Sequence, residues 1–177
     1  TASMLLRDFV RAERAWADGA RQGVAALGPE EARARQAWAL LGAELALEQG
    51  DTASAAQRLG ATADIITRPE MLLRAQVAVA NGQPESPRRQ AELLQAWVSE
   101  HRQDAAAWSA LSQCADRLGQ KLRAVRAQAE SHAALGDLPG AIDRLRAGQR
   151  LARSGGVPQD FIESSVIDAR LRALEAQ

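Results

Sequence analysis

Apolar positions along this chain recur every three or four residues and never alternate over a useful length, which is the periodicity of helix rather than strand. Leu5, Phe9, Ala12 and Trp16 keep that spacing, and the pattern runs on through Gly23 to Leu27 before Gly28 and Pro29 break it. Pro29 suits the first turn of a second helix, with Glu30 and Glu31 near the positive end of its dipole; that helix carries Trp38, Leu41 and Leu45 and ends at Gly50. Asp51 or Thr52 caps a third, predicted to run to about Ile66 and to stop before Pro69, because the residue ahead of a proline is disfavoured in the α region. A fourth spans Pro69 to Ala80 and ends in Asn81-Gly82. Ser86 and Pro87 then form a cap and first-turn pair for a helix bearing Leu93, Leu94, Trp97 and Val98, up to Arg102. Asp104 caps the next, which holds Trp108 and Leu111 and ends at Gly119. Another runs from Gln120 to Leu135, and Leu138-Pro139 opens one that passes Ile142, Leu145 and Leu151 before the Ser154-Gly155-Gly156-Val157-Pro158 turn. A last helix carries Ile162, Val166, Ile167, Leu171 and Leu174. The pattern predicts an all-α chain of about nine helices.

Three times a helix-ending glycine is followed five residues later by an alanine that opens the next helix: Gly50 and Ala55, Gly119 and Ala124, Gly136 and Ala141. With Trp108, Leu111, Ser112 and Ala115 ahead of Gly119, this step resembles the tetratricopeptide helical hairpin, and Trp38 and Trp108 lie about two periods of roughly 34 residues apart. A hairpin of this kind cannot bury its apolar faces alone, so stacking on neighbours supplies the core. The expected architecture is a single tetratricopeptide-like α-solenoid domain over residues 1–177, a class that is more often a recognition surface than a catalyst. Its final helix is expected to close the stack with a polar outer face, to which Arg170, Arg172, Glu163 and Glu175 are suited.

Composition narrows the partners. Twenty-two basic and 22 acidic residues cancel, which argues against a general electrostatic footprint for nucleic acid or an anionic membrane. Aromatics are only 3% of the 177 residues, so the core must come from alanine and leucine. No apolar run approaches the roughly 18 to 20 residues a membrane helix needs. The chain begins at Thr1 without an initiator methionine and without a leader-like segment, so a processed or truncated product of a longer protein is expected.

Catalytic patterns are missing from the sequence: there is no HExxH, no cysteine pair, no phosphate-binding glycine loop after a strand and no Gly-x-Ser-x-Gly elbow. His101, near a helix end, reads as a surface or capping residue, and His132, two residues after Glu130, has the wrong spacing to share a helix face with it. Cys114 reads as a small buried thiol, and the four tryptophans, three of which have leucines three or four residues away, as core rather than a ligand cage. Arg123, Arg126, Arg144, Arg146, Arg150 and Arg153 are interspersed with Glu130, Asp137 and Asp143, which suits a solvated face. If the first helix of each pair lines a groove, Gln113, Asp116 and Arg117 are the candidate partner-binding residues. No catalytic, metal or cofactor-binding residue is assigned.

Four segments resemble the C-terminal tetratricopeptide region of bacterial zinc metalloproteases of the periplasmic β-barrel assembly-enhancing type: Trp108-Ser-Ala-Leu-Ser-Gln-Cys, Arg123-Ala-Val-Arg-Ala-Gln-Ala-Glu130, Gly136-Asp-Leu-Pro-Gly-Ala-Ile-Asp-Arg-Leu145 and Ile167-Asp-Ala-Arg-Leu-Arg-Ala-Leu174. The likeness is best over residues 90–177, extends to Pro69 to Gly82 and is weaker over the first 50. It implies a non-catalytic interaction region that engages outer-membrane assembly components or clients, or its own protease domain, in the periplasm. Zinc is expected only in that protease domain, whose ligands match no position here. Two other readings stay open at this point: a stand-alone adaptor in cell-envelope or cytochrome assembly, and an enzyme of unrecognised type.

Overall fold

In a computed structural model of the chain, residues 8–23, 32–60, 66–83, 85–154 and 160–176 are described. Among them the chain forms nine helices and no strand: α1 (Phe9–Gln22), α2 (Ala32–Glu48), α3 (Thr52–Leu59), α4 (Arg68–Asn81), α5 (Glu85–Glu100), α6 (Ala105–Arg117), α7 (Lys121–Ala134), α8 (Leu138–Arg153) and α9 (Phe161–Glu175). The fold is all-α and tetratricopeptide-like, with consecutive helices packed as hairpins. Contacts group it into two compact units, 1–81 and 82–177, each treated by itself below. The predicted positions at Leu5, Leu27 to Glu31 and Gly155 to Pro158 lie outside the described residues.

The glycine-to-alanine step is a joint that ends one helix and starts another with the same few residues. Gly50, Gly119 and Gly136 take φ of +78°, +73° and +81°, a conformation that costs glycine least. The next residue, Asp51, Gln120 or Asp137, then donates its N–H back to the carbonyl of Ala46, Ala115 or His132 at 2.9 Å, satisfying the ending helix. That same residue is the N-cap of the following helix, and its carbonyl accepts the N–H of the alanine, Ala55, Ala124 or Ala141, at 2.9–3.0 Å. Asp51 and Asp137 add a side-chain cap to Ser54 N and Gly140 N. Each alanine is buried. A larger residue there would hold the two arms apart.

In residues 1–81, α1 and α2 lock through reciprocal tryptophan and glycine contacts. A Cβ on Gly19 would lie 2.4 Å from the ring of Trp38, and one on Gly42 would lie 2.4 Å from the ring of Trp16. The Trp16 indole N–H donates to the Trp38 carbonyl at 3.0 Å. Arg58 of α3 lies 4.1 Å from the Trp16 ring centroid, pairs with Glu13 and donates to the Gly42 carbonyl at 2.8 Å, so one guanidinium ties α1, α2 and α3 together. Trp16 and Trp38 thus pack between helices.

One boundary departs from the sequence reading: α3 stops at Leu59 rather than near Ile66. Gly60, at φ +60° and ψ −163°, leaves the helical path, and Arg74 of α4 takes the freed carbonyls of Leu59 and Gly60 at 2.8 and 3.1 Å. Arg74 is held in turn by Glu70, 4% exposed, which also accepts from Gln36 of α2. Similarly α5 begins at Glu85, so Ser86 lies inside its first turn rather than capping it.

In residues 82–177, α7 is the central element, packed against α6, α8 and α9. Leu122 and Ala129 of α7, Ala141 and Leu145 of α8, and Ile167, Leu171 and Leu174 of α9 form one core. Two bidentate pairs fix α9 on α7. Arg126 binds Glu163 at 2.6 and 3.2 Å, and Arg170 binds Glu130 with three contacts of 2.9–3.1 Å. Glu163 and Arg170 therefore face α7 and not the outside, a correction to the expected polar cap: their charges find partners about 40 residues back in the chain. Arg172 and Glu175 are exposed as expected, but so are Phe161, Ile162 and Val166, at 74%, 79% and 40%, and Ile162 and Val166 do not join the core as the periodicity suggests.

Gly19→Ala and Gly42→Ala each place a methyl group inside an indole ring. Each is expected to lower the unfolding free energy by about 1–2 kcal/mol, although alanine normally favours a helix interior by about 1 kcal/mol over glycine. Urea melts of the variants check this, and a raised midpoint would contradict the tryptophan and glycine lock.

Candidate functional site

The candidate residues Gln113, Asp116 and Arg117 sit together on α6, because the opposite face of that helix is committed to the core through Ala107, Trp108, Ala110, Leu111, Cys114 and Ala115. All three are exposed. Gln113 stands free in solvent. Asp116 pairs with Lys121 at 2.6 Å across the joint, with both side chains about half exposed, a contact worth little in stability. Arg117 reaches toward Gly82, where its Nη2 would lie 3.3 Å from an added Cβ.

A cleft of about 550 Å³ opens elsewhere in the same unit. Its walls come from the end of α5 (Val98, Ser99), the following turn (Arg102, Gln103), the start of α6 (Trp108), the last turns of α7 (Glu130, Ala133, Ala134), Leu138 of α8, and Arg170 and Leu174 of α9. Trp108 is 6% exposed and anchors the turn by donating its indole N–H to the Arg102 carbonyl at 3.0 Å. Ser131 of α7 donates its hydroxyl to the Ala105 carbonyl at 2.8 Å, and Ser112 of α6 donates to the Ala124 carbonyl at 2.8 Å, which hold α6 and α7 side by side. Glu130 and Arg170, paired with each other, both line it. Arg102 is exposed, and its guanidinium has neither a hydrogen bond nor an ion pair. None of the three α6 candidates lines this cleft.

The sequence offered no signal for it. Its charged members, Arg102, Glu130 and Arg170, are separated by stretches that no local spacing rule connects, and they meet only after α7 and α9 pack. Trp108 was legible as a core residue but not as the post supporting the turn.

Cys114, His101 and His132 each make structural contacts. Cys114 is fully buried and burial pushes its thiol up to about 11, so it stays protonated at neutral pH and is a poor nucleophile. His101 stacks on Trp97 with ring centroids 3.8 Å apart, its Nδ1 3.0 Å from the Trp97 carbonyl oxygen. Trp97 donates its indole N–H to Asp104 at 2.9 Å, and Asp104 in turn caps α6 through Ala107 N. His132 meets Asp137 at 2.8 Å. The backbone N–H of Gly140, and then His132, hold the Asp137 carboxyl below its ordinary value. Among the described residues no group of three or more His, Cys, Asp or Glu is placed to hold a metal ion, and no helix is long and apolar enough to cross a membrane.

No protein-family profile matches the chain. No curated protein matches it either.

The Glu130 and Arg170 pair is partly shielded, so its coupling should exceed that of an exposed pair. A double-mutant cycle with Glu130→Gln and Arg170→Met is expected to return about 1–2 kcal/mol of coupling in urea unfolding. Additive single effects would mean that the pair does not hold α9 on α7.

Proposed function

We propose that this chain is a non-catalytic protein-binding module, the tetratricopeptide region of a periplasmic zinc metalloprotease of the β-barrel assembly-enhancing type. In that role it holds outer-membrane assembly components or client proteins near a protease domain carried elsewhere in the parent protein. The observation that carries the reading is the repeated joint at Gly50, Gly119 and Gly136, which builds hairpins whose apolar faces are consumed by stacking and whose polar faces are left for a partner. The exposed α6 triad of Gln113, Asp116 and Arg117 is the proposed contact surface. Two further features support a module without chemistry of its own. The Cys114 thiol is buried and protonated, and both histidines are bound to neighbouring groups. The specific family rests on the four segments that resemble the protease's repeat region, which lie on α6, α7, α8 and α9.

Immobilised chain is expected to capture either an HExxH-bearing domain from the parent gene or an outer-membrane assembly protein. The triple variant Gln113→Ala, Asp116→Ala, Arg117→Ala should weaken that capture by about tenfold or more while leaving the unfolding midpoint in place, since the three side chains are exposed. Failure to bind either partner overturns the assignment, as does peptide hydrolysis by the purified chain alone.

A further inference from the structure

Large apolar side chains exposed singly, such as Val10 and Leu135, are ordinary on a protein surface, but Phe161, Ile162 and Val166 stand together on α9. The sides of that helix have different neighbours. Glu163 and Arg170 turn to α7, where Arg126 and Glu130 hold them. Asp168 and Glu175 turn to α8, the first accepting from Gln149 at 2.6 Å and the second paired with Arg146 at 2.9 Å. Ile167, Leu171 and Leu174 are in the core. What remains is a strip of Ile162, Ser165, Val166, Ala169 and Ala173, all exposed, at the three- and four-residue spacing of a helix-packing seam. The strip carries no charge. Arg172, which has Asp168 and Glu175 within one turn of it, is the remaining charged residue of α9 and stands exposed at the margin. Ser165 already donates its hydroxyl to the Phe161 carbonyl at 2.8 Å, so covering it strands no donor.

The strip is graded along its length. Its large members, Ile162 and Val166, lie in the first half of α9 and its alanines in the second, so the face complements itself when turned end for end. Two α9 helices packed antiparallel about a two-fold axis set Ile162 against the partner's Ala173 and Val166 against the partner's Ala169, so each wide layer meets a narrow one. Packed parallel, the same strip would stack Ile162 on Ile162 and Arg172 on Arg172. The antiparallel arrangement sends the two arginines to opposite ends of the seam, each toward the end of the partner helix that carries the exposed Phe161 ring, and it opposes the two helix dipoles. We infer that this face of α9 is a self-association surface, through which two copies of the chain pair by antiparallel α9 helices. Six large side chains and the alanines between them offer on the order of 800 Å² in total, below the roughly 1,200–2,000 Å² of a standard stable interface, so the pairing is weak and reversible. This surface goes beyond the partner contact proposed on α6 and does not depend on it.

Sedimentation equilibrium of the full chain over about 1 µM to 1 mM tests the inference, and a monomer–dimer equilibrium with a Kd inside that range is expected. Ile162→Glu and Ala173→Lys should each weaken dimerisation by about tenfold or more, and the double variant should recover most of that loss. The recovery can come only from across the two-fold axis, since within one copy the two positions lie about three turns apart. Both positions are exposed, so the variants should fold as the parent does, which circular dichroism and urea melts check. A chain that stays monomeric at about 1 mM overturns the inference and leaves the face to a different protein. So does association that either single variant leaves unchanged, or a double variant as weak as the two single losses added together. Capture through Gln113, Asp116 and Arg117 is measured separately, so these outcomes leave the reading as a binding module to stand or fall by its own experiment.

Discussion

Close approach of helices is the constraint on which this structure depends, and small residues at the crossings are what permit it. Ala107, Ala110 and Ala115 on α6, Ala124, Ala127 and Ala129 on α7, and Ala141 on α8 are all buried. At Gly148 an added Cβ would sit 3.1 Å from Ile167 and 3.2 Å from Val125, so α7, α8 and α9 meet where one of them has no side chain. Interaxial distance follows the side chains at the contact, and a chain this poor in aromatics reaches core density by bringing backbones together rather than by filling wide gaps. The few large buried groups, Leu94, Leu111, Leu145 and Ile167, then interdigitate between the alanine crossings. The same logic appears in residues 1–81 in another form, where two glycines accept two tryptophans.

Close packing fixes distance but not sliding, since alanine offers little to resist it. The charge pairs supply register. Arg126 with Glu163 and Glu130 with Arg170 alternate in sign along α7 and α9, so a shift of one turn would set like charges against each other. In holding that register they also shape the cleft, because Glu130 and Arg170 line it. The α6 triad, by contrast, is exposed and contributes little to the core.

What could be read from the sequence was what is local. The glycine and alanine joint is written within about six consecutive residues, so its three copies, the aspartate caps at Asp51 and Asp104 and the all-helical class were legible from spacing alone. Helix ends decided by distant residues were not: α3 stops where Arg74, 15 residues on, donates to the Leu59 carbonyl. The faces of α9 were misassigned for the same reason. Periodicity identified an amphipathic helix, but Glu163 and Arg170 look like surface charges until their partners on α7 are known, and Ile162 and Val166 look like core until the packing leaves them outside. The cleft is the extreme case, assembled from five helices and a turn, with a free arginine that no motif marks.

Native-state hydrogen exchange on Ala127→Leu tests this account most directly. Ala127 is fully buried on α7, and a larger side chain there should push apart α6, α7 and α8 at once. The account predicts that amides of α6, α7, α8 and α9 lose protection together, because each depends on the close stack around α7. Loss confined to α7, with α9 keeping the protection it has in the parent chain, would contradict it.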